Sequence, residues 1–589
     1  MKPRWLTFAL ILAGGLSEAH GASNKISSEL QNVELQSNVD VIVQFDQSPS
    51  DAYNQKILSR GGRQKNRPNM GRAGAYSVSG AAILELASDP AVLHISADHK
   101  VNAKLDYTTA ASNVSTAWQS GWDGTGIGVA VIDSGISPSR DFFNKNSNSS
   151  RIVYTQDFTG GDGSDQYGHG THVAGIIAGN GNNSSCYSCT RTLKGMAPNA
   201  NLINLRVLDA SGQGTDSAVI AAINTAVQLK SKYNIRVINL SIGRGVFESY
   251  TQDPLCQAVE SAWKAGIVVV VAAGNDGRDN SVGENGYGTI NAPGNDPYAL
   301  TVGAMKALDT YTRIDDLVAS YSSKGPSLFD NVVKPDLVAP GNGVVSVLAS
   351  GSPTLLTQFP SSAIQTKYYN WSSWTSTSSS YYRLSGTSMA AAAVSGAVAD
   401  LLQAKSQLTA DQVKALLIKT AYKTFPQTST AVDAITGASY LSSYDVFTIG
   451  AGYLDLGSAL WTSYAPTGNS LSPTATFDSS TKTILVKFDP SSTWASLTPA
   501  GLSGLWGTSI TMGTSGLWGT SGLWGTSGLW GTSGIWGTSG LWGTSGLWGT
   551  SGLWGSSAPN SASGLWGTSG LWGNSTDQSA SSVEVNGER

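Results

Sequence analysis

The stretch RVINLSIGRGVFESYTQDPLCQAVESAWKAGIVVVVAAGN, Arg236–Asn275, decides the fold. It opens on one apolar run, RVINLSIG, crosses the helix-like PLCQAVESAWKAG, and closes on a second apolar run, GIVVVVAAGN. Continuous apolar strands joined by amphipathic helices point to a parallel sheet covered on both faces, since strands buried on both sides have no polar face to alternate with. The pattern extends outward. IGVAVID and NLINLRVLD precede it, ALTVGAM follows, and SAVIAAINTAVQLKSK reads as a further helix. An α/β domain is therefore expected over residues 107–465.

The flanks read differently. Met1 to Arg4 carries two positive charges before the apolar run Trp5 to Leu12, and small residues follow at Ala19, Gly21 and Ala22. This is the form of a secretory signal peptide, 1–22, and the run is too short to span a bilayer. Residues 23–106 suggest a small α+β unit, with strand runs in VDVIVQF and at the end of GAAILELASDPAVLHISAD. Its basic loop, with Lys56, Arg60, Arg63, Lys65, Arg67 and Arg72, is read as a solvated face rather than a binding patch. Residues 466–500 are polar, with one strand-like run, TILVKF, and read as a linker. In-phase SGLWGT-type hexads then fill 501–573, with Trp at 506, 518, 524, 530, 536, 542, 548, 554, 566 and 572 and Met512 and Asn560 at the two missing positions. A polar tail, 574–589, closes the chain.

The whole has 36 basic and 40 acidic residues, a net charge of −4 that argues against nucleic acid as a partner. No later apolar stretch is long enough for a transmembrane helix. Cys186 and Cys189 form a C-x-x-C in the polar loop GNNSSCYSCTRT. That loop lacks the helix start of a redox motif, and no further ligands complete a zinc site. A local disulfide is expected, with Cys256 buried and reduced.

Of five histidines, only His169 and His172 fall in the α/β domain, both within GHGTHVAGI, so an imidazole base must be one of them. Gly168 and Gly170 leave the approach to His169 open. Asp133 ends the strand run GVAVIDSGI, and carboxyl ends of parallel strands are where open α/β sheets take ligands. Ser388, in LSGTSMAAAAVSGAVADLL, lies between a Gly-Thr turn and an Ala-rich helix, whose free N–H groups suit a nucleophile that generates an oxyanion. Asn275 closes VVVVAAGN, and its amide can donate to developing negative charge. Each alone has an ordinary use as a cap, turn or packing residue. Together they supply nucleophile, base, orienting carboxylate and oxyanion donor.

DSGI at Asp133, GHGTHVAGI around His169, VINLSIG, VVVVAAGN and SGTSMA at Ser388 resemble the subtilisin-like serine proteases, the subtilases, in their order Asp, His, Ser. KPDLVAPG near Lys334 and GAGYLDLGSAL near Gly450 extend the resemblance over 107–465. It implies a secreted serine endopeptidase with His169 rather than His172 as base and protein or peptide substrates. Ser241, Ile242 and Gly243, with Ala272, Ala273 and Gly274, would flank an extended peptide as edge segments, and Asn291 would lie near the pocket floor. It further implies that 23–106 is a ferredoxin-like propeptide that chaperones folding, inhibits the site and is cut away near Asp106 to Ala110. No cofactor is required. Asp141 matches one ligand of a family calcium site, but its partners are missing from GNNSSCYSCTRTLKG, so a structural calcium stays open and metal ligands are unknown. Where the family continues with a small residue and Pro-His-Val, this chain has Ala391, Ala392, Ala393 and Val394; a shifted helix start is the most this should cause.

Two features are left over. Tyr368, Tyr369, Trp371, Trp374, Tyr381 and Tyr382 precede Ser388 and either rim the cleft or pack a surface loop. The Trp array, with two Gly per hexad, reads as a flexible adhesive tail rather than a solenoid, suited to a cell surface or polysaccharide. The rival to a protease is thus a surface adhesion protein that uses an inactive protease domain as scaffold.

Overall fold

A computed structural model describes residues 25–493, apart from 28–29, 32, 66–71, 98–106, 145–146, 282–284, 372–375, 434–435 and 479–482, together with Glu588. The expected signal peptide, the repeat array and Trp374 lie outside the described residues. The chain divides into two compact units, residues 1–102 and 103–589.

In the smaller unit, strands β1 (Asn38–Phe45), β2 (Arg63–Gln64), β3 (Ala73–Ser79) and β4 (Val92–Ala97) form an antiparallel sheet in the order β2-β3-β1-β4. Helices Asp51–Ser59 and Gly80–Ala87 complete a βαββαβ chain path. Val41, Val43, Tyr76, Ile83 and Ile95 make its core. Three of its basic residues are held by carboxylates: Lys56 by Asp89 at 3.1 Å, Arg60 by Glu85 at 3.1 Å and Lys65 by Asp40 at 2.6 Å.

In the larger unit, β5 (Gly128–Asp133), β6 (Ile152–Asp157), β7 (Asn201–Arg206), β8 (Ile235–Leu240), β9 (Val268–Ala272), β10 (Leu300–Lys306), β11 (Leu317–Val318) and β12 (Leu337–Pro340) form one sheet. Its order is β11-β10-β9-β8-β5-β7-β6, with β12 beside β10, and every pairing but β10–β11 is parallel. The apolar runs supply its centre; every residue of β5, β9 and β10 is buried. Helix Asp216–Tyr233 starts on a Thr215 cap and ends at Asn234, whose φ of 48° turns the chain into β8. Helix Pro254–Lys264 starts on Asp253, with proline in the first turn where no N–H is needed. Helices His169–Ala178 and Thr387–Ala404 are apolar nearly all round, as helices inside a core must be, and they pack on each other. The four-alanine run therefore lies within a helix that starts at Thr387, just before Ser388. Among the described residues, no helix is long and apolar enough to cross a membrane.

One polar cluster ties the chain's later segments to this core. Asp336, fully buried, takes Lys334 Nζ at 2.8 Å, Lys414 Nζ at 3.2 Å, the Thr301 N–H at 2.8 Å and Ser472 Oγ at 2.5 Å. Burial pushes the Lys414 ammonium down to about 7. Ser472 belongs to the stretch expected as a linker. Instead, Ser470 bonds Asp411, Ser472 N–H bonds Pro297 O, and Ala475 N–H bonds Asn331 O, so 470–475 is a strap laid on the larger unit. Replacing Asp336 by Asn would deprive two buried ammonium groups of the carboxylate they pair with. In a Ser388→Ala background, denaturant unfolding should show Asp336→Asn less stable by about 3–5 kcal/mol.

Candidate active site

Asp133 is the last residue of β5 and is fully buried. Its Oδ1 accepts the Ser134 N–H at 2.7 Å and His169 Nδ1–H at 2.7 Å. His169 is the first residue of its helix, brought there by Gly168 at φ 108°, a conformation that excludes most side chains. Gly170 serves close packing: a Cβ there would lie 2.3 Å from Gly135 O. The glycine thus lets the helix seat against the loop after Asp133, a requirement apart from substrate access.

Two groups to which the sequence assigned no such role hold this arrangement. The buried Asp165 carboxylate accepts Ser134 Oγ–H at 2.8 Å, Gly168 N–H at 2.7 Å and Thr171 N–H at 2.8 Å, and burial raises its pKa. Ser134 Oγ in turn accepts Gly170 N–H at 2.9 Å. A carboxylate at a helix N-terminus meets both the free N–H groups and the helix dipole. Its only mark in the sequence is an Asp four residues before His169, which no periodicity singles out. The second group is Tyr382, whose hydroxyl donates to Gly168 O and whose ring stands edge-on to His172 at 5.0 Å. Of the aromatic stretch, Tyr381 and Tyr382 are therefore core, whereas Trp371 is exposed.

Ser388 is the second residue of helix Thr387–Ala404, 1% exposed. Its hydroxyl donates to Ser241 O at 3.1 Å, and Ser241 Oγ–H donates to Ser388 O at 2.8 Å. Asn275 Oδ1 accepts Thr387 N–H at 2.9 Å, which orients the amide so that Nδ2 is its donor end. A cleft of about 250 Å³ is lined by Ile242, Gly243, Ala272, Gly274, Asn275, Asn291 and Thr387. Ser241 and Ala273, expected along the substrate, are fully buried and do not line it. The reason is internal bonding: Ser241 grips the Ser388 helix, and Ala273 gives its N–H to Val302 O and its carbonyl to Asn291 N–H.

The subtilase family profile matches residues 124–439, more than half of the chain. The chain belongs to the subtilase family. It is similar to serine protease AprX of Bacillus subtilis (strain 168), 33% identical over 405 residues, 66% of this chain and 84% of the relative. Subtilisin E of the same organism is 30% identical over 368 residues, 62% and 79% of the two chains. An extracellular serine proteinase of Thermus sp. (strain Rt41A) is 31% identical over 359 residues, 59% and 70%. The protein is a subtilisin-like serine endopeptidase.

For this subtilase, the two histidines separate cleanly. His172 is fully buried, its Nε2–H bonded to Val344 O at 3.1 Å, and burial, with the neighbouring His169, pushes its pKa down to about 3. It stays neutral and cannot exchange protons near neutral pH. The residues around Asp141 do not fit calcium. Its carboxylate oxygens take Asn183 N–H at 2.7 Å and Tyr381 O–H at 2.6 Å. The carbonyls of Asp141, Ala178 and Ala200 converge instead on the buried Arg151 guanidinium, at 2.6, 2.6 and 2.8 Å. Calcium needs six to eight oxygen ligands; here the oxygens already face N–H and O–H donors. The adjoining loop is closed by the Cys186–Cys189 disulfide, and Cys256 is a buried thiol.

Two tests follow from this geometry. Arg151→Met strands three carbonyls and should destabilise the Ser388→Ala protein by about 3–5 kcal/mol, while a chelator leaves the parent's unfolding midpoint unchanged. In NMR of the same protein, the His172 ring should stay neutral from about pH 8 to about pH 4. Since its folded pKa lies below the ordinary 6.5, the unfolded chain binds the extra proton, so stability is whole above about pH 6.5 and this group's share is lost as pH falls toward 3.

Proposed function

We propose that Ser388, His169 and Asp133 act as nucleophile, general base and orienting carboxylate in peptide-bond hydrolysis. The observation that carries the reading is the 2.7 Å contact from His169 Nδ1 to buried Asp133, in a domain whose other histidine is held neutral. Ser388 Oγ attacks the scissile carbonyl carbon and gives its proton to His169 Nε2. Asp133 keeps the Nδ1–H tautomer and stabilises the imidazolium. The oxyanion takes hydrogen bonds from the Ser388 N–H, at a helix N-terminus, and from Asn275 Nδ2. The imidazolium then protonates the leaving amine, and water repeats the sequence on the acyl-enzyme. Ile242, Gly243, Ala272 and Gly274 bound the pocket for the side chain before the scissile bond, with Asn291 beside them. None of the lining residues is charged, which favours uncharged side chains.

The protein is exported on residues 1–22, with 23–106 as an inhibitory propeptide. What supports the propeptide is the separate compact unit with its βαββαβ path, and what supports export is the charged start and apolar run of residues 1–22. Helix Tyr107–Ala111 has Thr108, Thr109 and Ala111 buried, so cleavage belongs at the Asp106–Tyr107 edge of the expected window. The Trp array at 501–573 holds the protease on a surface or polysaccharide and takes no part in bond cleavage. The rival reading, an inactive scaffold, is not favoured, since the relatives are proteases by name.

A fluorophosphonate should label the mature wild type and not Ser388→Ala, in which 23–106 should also stay attached; a labelled Ser388→Ala would overturn the assignment. Asn275→Ala should lower kcat by about 10²–10³, the range found when such a donor is removed from subtilisin. In-frame deletion of 501–573 should leave hydrolysis of a soluble peptide unchanged and reduce retention on an insoluble polysaccharide.

A further inference from the structure

Strand β10 ends in a lysine, although every residue of that strand is buried. A buried ammonium is stable only with an opposite charge, because water no longer solvates it. Among the described residues the carboxylate paired with Lys306 is that of Glu588, at 3.0 Å, and both side chains are 3% exposed. Arg278 Nη2 reaches the same carboxylate at 2.6 Å. Ser320 adds its N–H, at 3.0 and 3.1 Å to the two oxygens, and its hydroxyl. Asn342 then grips the backbone: its Nδ2 donates to Glu588 O at 2.9 Å and its Oδ1 accepts Glu588 N–H at 2.8 Å. Two cations, a backbone N–H, a hydroxyl and a side-chain amide thus converge on one residue. Burial alone would raise the Glu588 pKa, yet Lys306, Ser320 and Arg278 hold it below the usual carboxylate value.

We propose that Arg278, Lys306, Ser320 and Asn342 form a carboxylate-docking socket whose ligand is Glu588 of the same chain, and that this dock fixes the far side of the 494–587 stretch to the larger unit. The near side is already fixed by the 470–475 strap. Residues 475 and 588, which stand on either side of the Trp array in the sequence, are therefore both held on one body. The socket's design favours a peptide carboxylate over a free anion, because Asn342 reads the main-chain N–H and C=O on either side of the side chain that the cations neutralise. Arg278 keeps a second carboxylate, Asp433 at 2.9 Å, and stacks on Tyr440 at 4.5 Å, so it is held in place apart from Glu588. Lys306 has no such reserve among its described ion pairs, which makes Glu588 the group on which its burial depends.

The test uses the full chain carrying Ser388→Ala, to stop self-digestion, with Glu588→Ala, Glu588→Gln or Glu584→Ala added. Hydrogen exchange at the Ser320 amide is read by mass spectrometry, and the mobility of a spin label at Ser582→Cys by electron paramagnetic resonance. Glu588→Ala should speed Ser320 exchange by about tenfold or more and free the label, since an unpaired amide loses its protection. Glu588→Gln, which keeps the shape and loses the charge, should fall between, and Glu584→Ala should match the parent. Unchanged exchange and label mobility in Glu588→Ala would overturn the proposal, as would an equal effect from Glu584→Ala.

Discussion

The buried carboxylate of Asp165 is the constraint on which the rest of the site depends. It spans two segments that the chain joins by way of β6: the turn after β5, through Ser134 Oγ, and the first turn of the His169 helix, through the Gly168 and Thr171 N–H groups. Asp133 and His169 are thereby presented to one another by backbone that neither controls. A 2.7 Å contact between an imidazole and a carboxylate is a matter of tenths of an ångström, and geometry of that fineness needs supports whose own positions are over-determined. Tyr382 supplies the second support, from the segment that leads into the Ser388 helix.

The same logic governs Ser241. Its hydroxyl and carbonyl are both spent on Ser388, which joins the end of β8 to the start of the central helix. The cleft wall is then left to small residues, Gly243, Ala272 and Gly274, and to the amides of Asn275 and Asn291. Polar contacts lie behind the wall, and small side chains and two amides lie in front.

The sheet was readable because strands buried on both faces are written as unbroken apolar runs: IGVAVID contains β5, and RVINLSIG and ALTVGAM cover all but one residue of β8 and of β10. β6, IVYTQD, escaped because it lies half-exposed at the end of the sheet order and carries polar residues. Asp133, His169, Asn275 and Ser388 were visible as strand ends and helix starts. The supports were not, because a carboxylate that bonds backbone N–H groups or a tyrosine that bonds a carbonyl leaves no periodicity. The serine-rich 470–475 strap misled for a related reason: hydroxyl groups that satisfy buried backbone and charge look, in one dimension, like the polar composition of a linker. Lys306, a charge at the end of an apolar run, has to be neutralised by something outside that run, and the sequence does not say by what.

Arg151 changes what the surroundings can do to this enzyme. An ion bound from solution contributes a stability that rises and falls with its free concentration. A guanidinium on the chain has no such dependence; its effective concentration is set once, by folding. The Asp141, Ala178 and Ala200 carbonyls should therefore stay joined equally in hard water, in a phosphate-rich medium or among chelating polysaccharides. The same fixed charge also removes a control at this point, because no fall in calcium can release the three carbonyls that Arg151 holds.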